Sequence, residues 1–264
     1  MRFGVVRFPG SCDETDALLA CRRYADAEIL WHGDRDLHGV DAVVVPGGFS
    51  YGDYLRVGAI ARFSPVMEAV GELAASGGHV LGICNGFQVL CEAGLLPGAL
   101  LPNAGRRFLC RQVDVEVVRA DSPFTRMAAP GQILSIPVKH TTGRYYAPGE
   151  VLESMNAHGQ IILRYAEGHN PNGSVGDVAG VSNEAGNVMG LMPHPEHAVD
   201  ALTGSEDGGV IFESLAQVAD ASDETGIRAG LDADASDETG IRAGLDADAS
   251  DETGIRAGLV DDAA

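Results

Sequence analysis

Cys84 stands in Gly82-Ile83-Cys84-Asn85-Gly86, with a glycine two residues away on either side. The apolar run 79–83 before it reads as a buried central strand, and Phe87, Leu90 and Cys91 follow at helical spacing. A side chain on so sharp a strand-to-helix turn needs neighbours without a Cβ, as in the Gly-x-Ser-x-Gly elbow. The unpaired N–H groups and partial positive charge of the helix N-terminus favour the thiolate, the nucleophilic form of cysteine. A lone free cysteine is ordinarily a buried packing residue. The elbow makes Cys84 a candidate nucleophile instead.

Such a nucleophile needs a base, and Pro193-His194-Pro195-Glu196 supplies one with an orienting carboxylate. In an extended chain, residues two apart point to the same face, and the prolines keep this stretch out of a helix. His194 is then the general base and later the general acid, with Glu196 holding its tautomer. His194, Glu196 and His197 also cluster as metal ligands do, but no second cluster with ligand spacing accompanies them. No metal is expected. A third element, Val45-Pro46-Gly47-Gly48, ends a buried strand in a glycine pair that can aim N–H groups at an oxyanion. The N–H of Asn85, the residue after the nucleophile, is the natural second donor. No Gly-Lys-Ser/Thr phosphate-binding pattern is present.

The elements that must position these groups alternate strand and helix. Residues 3–6 read as a first strand. Asp13 is placed to cap a helix with Ala17, Leu18, Cys21, Tyr24 and Ala25 on its apolar face. Residues 42–45 read as a strand. Ser64-Pro65 opens a helix presenting Met67, Val70 and Ala74. This rhythm predicts an α/β fold, a mostly parallel sheet flanked by helices with the site at the strands' carboxyl ends. Segments near 111–118, 133–138, 160–165, 178–181 and 188–192 read as plain strands that extend the sheet. Residues 212–218 read as a last helix.

Four stretches together resemble the class I, triad-type glutamine amidotransferases, and more finely the glutaminase subunits of phosphoribosylformylglycinamidine synthase. They run Pro46 to Arg56, Cys84 to Leu90, Asn170-Pro171-Asn172-Gly173-Ser174, and Gly190 to Glu196. The resemblance implies a flavodoxin-like sheet and a Cys84, His194, Glu196 triad that releases ammonia from glutamine through a thioester. It implies oxyanion and substrate contacts from Gly47, Gly48, Asn85 and Gln88. It implies no cofactor in this subunit. ATP and Mg would be used by a larger synthetase subunit, with a small bridging subunit completing the complex. Two departures stand out. His197 replaces the arginine common after the Pro-His-Pro-Glu motif, and the stretch Pro137 to Tyr145 differs after His140 from the usual glycine- and acid-containing version. Two alternatives remain: a glutaminase for another biosynthetic pathway, or a non-catalytic partner on the same fold.

Composition narrows the classes further. The formal net charge of −20 argues against nucleic-acid binding through a basic face, and Lys139 is the only lysine. Strong acidity with scarce lysine resembles proteins of salt-loving organisms, where salt screens self-repulsion. Five cysteines without framework spacing, no long apolar run and no signal-like N-terminus predict a reduced, cytoplasmic protein with no membrane contact. Residues 1–219 are expected to form the amidotransferase domain. Residues 220–264 carry −10 of the charge and hold three copies of a 14-residue repeat starting at Asp220, Asp234 and Asp248. With only Ile and Leu as large apolar residues per copy, this tail is expected to be disordered.

Overall fold

The computed structural model describes residues 1–218; residues 219–264, with the expected domain boundary and the repeats, lie outside the described residues. Five strands form the parallel part of a nine-stranded sheet: β1 (Arg2–Arg7), β2 (Asp26–Trp31), β3 (Ala42–Val45), β4 (His79–Ile83) and β11 (Val188–Leu191). Their order is β2-β1-β3-β4-β11. β1, β3, β4 and β11 are short runs of Val, Leu, Ile and Phe that are buried on both faces, as parallel strands between helices must be. Beyond β11 the sheet turns antiparallel through β10 (Val178–Ser182), β9 (Ile161–Tyr165), β6 (Leu109–Val117) and β7 (Ile133–His140). β5 (Ala99–Pro102) and β8 (Thr142–Tyr146) form a separate antiparallel pair.

The helices are α1 (Glu14–Cys21), α2 (Pro65–Ala75), α3 (Asn85–Glu92), α4 (Gly149–Ala157) and α5 (Gly209–Ala216). Two expected caps do other work. Asp13 precedes α1 but makes no side-chain bond to it. The Ser64 hydroxyl lies 2.8 Å from the Tyr51 hydroxyl and does not cap α2. In α2, Pro65 takes the first helical position and Met67 and Val70 are buried, as the spacing predicts. α1 stops at Cys21, so Tyr24 and Ala25 reach the core from the turn beyond it.

β2, β5, β8 and α4 are absent from the sequence reading. β2 is an edge strand with one buried residue, Leu30, and α4 buries only Met155. Neither carries a strong apolar period, so packing against the sheet decides both. α5 begins at Gly209, ahead of the expected start.

Candidate active site

The Cys84 elbow forms because the chain passes directly from β4 into α3. Cys84 adopts φ 49°, ψ −101°, a conformation that costs a non-glycine residue about 1–3 kcal/mol. Its N–H donates to the Leu191 carbonyl at 2.8 Å, which anchors the turn to β11. A Cβ on Gly86 would lie 1.8 Å from the Val45 carbonyl oxygen, and one on Gly82 would lie 2.5 Å from Leu90. The glycines flanking Cys84 are therefore steric requirements of the elbow.

β11 runs parallel to β4 with Leu191 opposite Ile83, so Cys84 and His194 leave adjacent strand ends. The expected extended stretch after His194 is a 3-10 turn, Pro195–His197. That turn brings the Glu196 carboxylate back under the ring, where Oε1 lies 2.6 Å from His194 Nδ1. Both side chains are buried. Nδ1 therefore carries its proton toward Glu196, and Nε2 is the basic nitrogen. Nε2 has no hydrogen-bond partner, and the ring lines the same pocket as Cys84. Burial opposes a charged imidazole there. The negative charges of Glu196 and of a Cys84 thiolate outweigh it and raise the His194 pKa.

Asp13, read from sequence as a helix cap, belongs to this site. It is 3% exposed, and its carboxylate is paired with the Lys139 ammonium. Oδ2 lies 3.7 Å from His194 Nδ1, and Oδ1 lies 3.4 Å from His197 Nε2. Burial works against the Asp13 charge, but its contacts with His197 and Lys139 and the charges of His194 and Lys139 win and hold its pKa well below the carboxylate range. Nothing in the local sequence separates this Asp from an ordinary cap. Gly47 makes room for it: a Cβ there would fall 2.3 Å from Asp13 Oδ2 and 2.8 Å from His194 Cε1. Donor atoms of Asp13, His194, Glu196 and His197 lie within 4.8 Å of one another, with Asp13 paired to Lys139 and Glu196 to His194.

The pocket lies at the carboxyl ends of β1, β3 and β4. Gly48 and Gln88 line it. Gly47 does not; its carbonyl accepts from the N–H groups of Cys12 and Asp13, at 3.2 and 3.3 Å. Asn85 is the first residue of α3, so its N–H is among the helix's unpaired donors. Its side chain braces the site from behind. Oδ1 accepts from the Ser50 N–H at 3.0 Å, and Nδ2 donates to Gln88 Oε1 at 2.8 Å. Gln88 in turn donates to the Thr142 carbonyl, which fixes its carboxamide along the pocket wall.

Asp53, also in the lining, sits at φ 54° and accepts one hydrogen bond, from Asn85 Nδ2 at 3.3 Å. Burial pushes its pKa up to about 6, against the opposing pull of Asn85. The native state then binds this proton more tightly than the unfolded chain, whose Asp titrates near ~3.9. The stability this contributes is complete below about pH 4 and is lost as pH rises through about 6. Asp53→Asn is therefore expected to gain melting temperature over the parent as pH rises through that window. A difference between the two that stays constant with pH would contradict this.

The chain matches the CobB/CobQ-like glutamine amidotransferase domain over residues 1–209. A phosphoribosylformylglycinamidine synthase subunit PurQ from Salinibacter ruber is 55% identical over 223 residues, covering 81% of this chain and 95% of the relative. The PurQ subunit of Rubrobacter xylanophilus is 57% identical over 216 residues, covering 81% of this chain and 97% of that one. Among solved structures, one titled as the structure of PurLQS from Thermotoga maritima matches with a TM-score of 0.76 at 41% identity. It covers 83% of this chain and 98% of the matched chain. With the elbow, the buried histidine–carboxylate pair and these matches in agreement, the chain belongs to the CobB/CobQ-like glutamine amidotransferase family, in the branch of the phosphoribosylformylglycinamidine synthase PurQ subunits.

Proposed function

We infer that this chain is the glutaminase subunit of phosphoribosylformylglycinamidine synthase, supplying ammonia for purine biosynthesis. The observation that carries the chemistry is the buried His194–Glu196 pair, 2.6 Å apart, opening on the pocket of an elbow cysteine. Cys84 Sγ attacks the side-chain carboxamide carbon of glutamine. His194 Nε2 takes the thiol proton and returns it to the departing nitrogen, so ammonia leaves and a γ-glutamyl thioester remains. Water then adds to the thioester, His194 takes its proton and restores it to sulfur, and glutamate is released. The N–H groups of Gly48 and Asn85 are the proposed oxyanion donors in both steps, with Gln88 holding the substrate.

The ammonia passes to a larger synthetase subunit that uses ATP and Mg to convert formylglycinamide ribonucleotide to the amidine. A small subunit completes the complex, in the cytoplasm. The names and near-complete coverage of the relatives favour this pathway over another amidotransferase pathway. No helix among the described residues is long and apolar enough to cross a membrane. The test is glutamate release by the full chain with and without the synthetase subunit, ATP and formylglycinamide ribonucleotide. A strong rise with the partner supports the assignment, and hydrolysis indifferent to it points to another pathway.

The acidic repeats are proposed to lie outside the catalytic unit. Deleting residues 220–264 is expected to change glutamine-dependent synthesis by less than about twofold, since such a composition cannot bury a core. A loss of ~10-fold or more in the same assay would show that the tail docks or packs.

A further inference from the structure

The stretch Asn170 to Ser174 is far from the triad in sequence and contributes nothing to the pocket lining. Its side chains nonetheless build the wall behind the pocket. Buried Asn172 donates from Nδ2 to the Gly143 carbonyl at 2.8 Å and to the Tyr165 hydroxyl at 3.2 Å. Its Oδ1 accepts from the N–H and hydroxyl of Ser174, at 3.0 and 2.7 Å. Its backbone carbonyl accepts from the N–H of Ala104 at 2.9 Å, next to Asn103. Asn103 is also buried, and its Nδ2 donates to the carbonyls of Arg107 and His140, both at 2.9 Å.

With both Nδ2 hydrogens used, Asn103 Oδ1 can only accept. It takes the Gly143 N–H at 3.0 Å and His140 Nδ1 at 3.0 Å. This fixes the His140 tautomer: Nδ1 carries the proton and Nε2 carries a lone pair. Burial, aided by the positive charge of His194, holds the His140 pKa down to about 4, so the ring is neutral. The residue is 4% exposed and lines the catalytic pocket, and Nε2 has no hydrogen-bond partner. A buried acceptor in that state is costly unless a bound molecule supplies the donor.

Resting on the glutaminase reading above, we propose that His140 Nε2 accepts a hydrogen bond from the carboxamide N–H of bound glutamine. His140 then selects an amide over an ester and turns the departing nitrogen's lone pair toward His194. Two observations bring the backbone next to His140 to the reacting end of the pocket. The carbonyl of Lys139, the residue before His140, lies 3.9 Å from Cys84 Sγ, and the His194 N–H donates to the Pro137 carbonyl at 2.8 Å. The end of β7 that carries His140 thus touches both Cys84 and His194. A neutral lone pair suits a neutral N–H, whereas the charged α-ammonium is better matched by the Asp53 carboxylate elsewhere in the lining.

The test compares glutamine with γ-glutamyl methyl ester, which has no carboxamide N–H, using the full chain with its synthetase partner. His140→Asn keeps a donor to Asn103 Oδ1 and removes the pocket acceptor. Its kcat/KM for glutamine is expected to fall ~10- to 100-fold, with the ester changed by less than about threefold. His140→Gln, whose amide reaches the Nε2 position, is expected to recover part of the loss. Equal losses on both substrates, or no loss on glutamine, overturn the proposal. Should His140→Asn fail to fold, the full-length Cys84→Ala chain decides. The ring-nitrogen NMR signal of His140 Nε2 is expected to move when glutamine binds and to stay when the ester binds. An unmoved signal with bound glutamine overturns the proposal. A wild-type chain that cleaves neither substrate sinks the glutaminase reading as well, whereas parallel losses overturn the proposal alone.

Discussion

Cys84→Ala is expected to lower glutamine-dependent amidine synthesis by ~10⁴-fold or more while leaving ammonia-dependent synthesis by the complex within about twofold of the parent. In the proposed mechanism the sulfur forms the covalent bond to the substrate, and no other group in the pocket replaces it. Cys12 shares the lining, but burial and the neighbouring Asp13 charge raise its thiol pKa, so it is a poor substitute. The elbow does not need the thiol. It is held by the Cys84 N–H bond to Leu191 and by the clearances at Gly82 and Gly86. The fold and the docked complex are therefore expected to survive, which is why free ammonia should still be used. If both activities vanish, Cys84 holds the structure rather than the chemistry.

Glu196→Gln is expected to cut kcat for glutamine hydrolysis by ~10³- to 10⁴-fold with the fold retained. The carboxylate accepts from Nδ1 at 2.6 Å and so keeps the proton off Nε2. A glutamine amide can turn its NH₂ toward Nδ1, which stabilises the opposite tautomer and removes the base. The variant also loses the negative charge that helps raise the His194 pKa. A histidine with a raised folded-state pKa contributes stability that is fully present below the unfolded value of about 6.5. That contribution is lost as pH rises through the folded value. The melting temperatures of parent and variant should therefore differ most in mild acid and converge at alkaline pH. Unfolding with little change in turnover of the folded fraction would sink the role assigned to Glu196.

The grouping of Cys84, His194 and Glu196 was legible because such a proposed triad leaves marks on the chain. An elbow demands glycines at fixed offsets from the nucleophile, and the proline-flanked His194 and Glu196 are close in sequence as well as in space. The central parallel strands were legible for a related reason: double-sided burial writes continuous apolar runs. What was not legible depends on contacts between distant segments. Asp13 reads as a cap until β7 brings Lys139 to it across the sheet. His140 reads as one more histidine until Asn103 fixes its tautomer. The local geometry after His194 was expected to be extended and is a tight turn, because a short proline-containing peptide fits both. Edge strand β2 and surface helix α4 bury too little to mark themselves.

The most direct measurement is a single-turnover acid quench of the reconstituted complex with labelled glutamine, followed by peptide mapping. Stoichiometric label on the peptide containing Cys84, released by hydroxylamine as a thioester should be and absent in Cys84→Ala, is the expected result. Rapid glutamine turnover with no label on that peptide, or with label on another residue, would contradict Cys84 as the nucleophile.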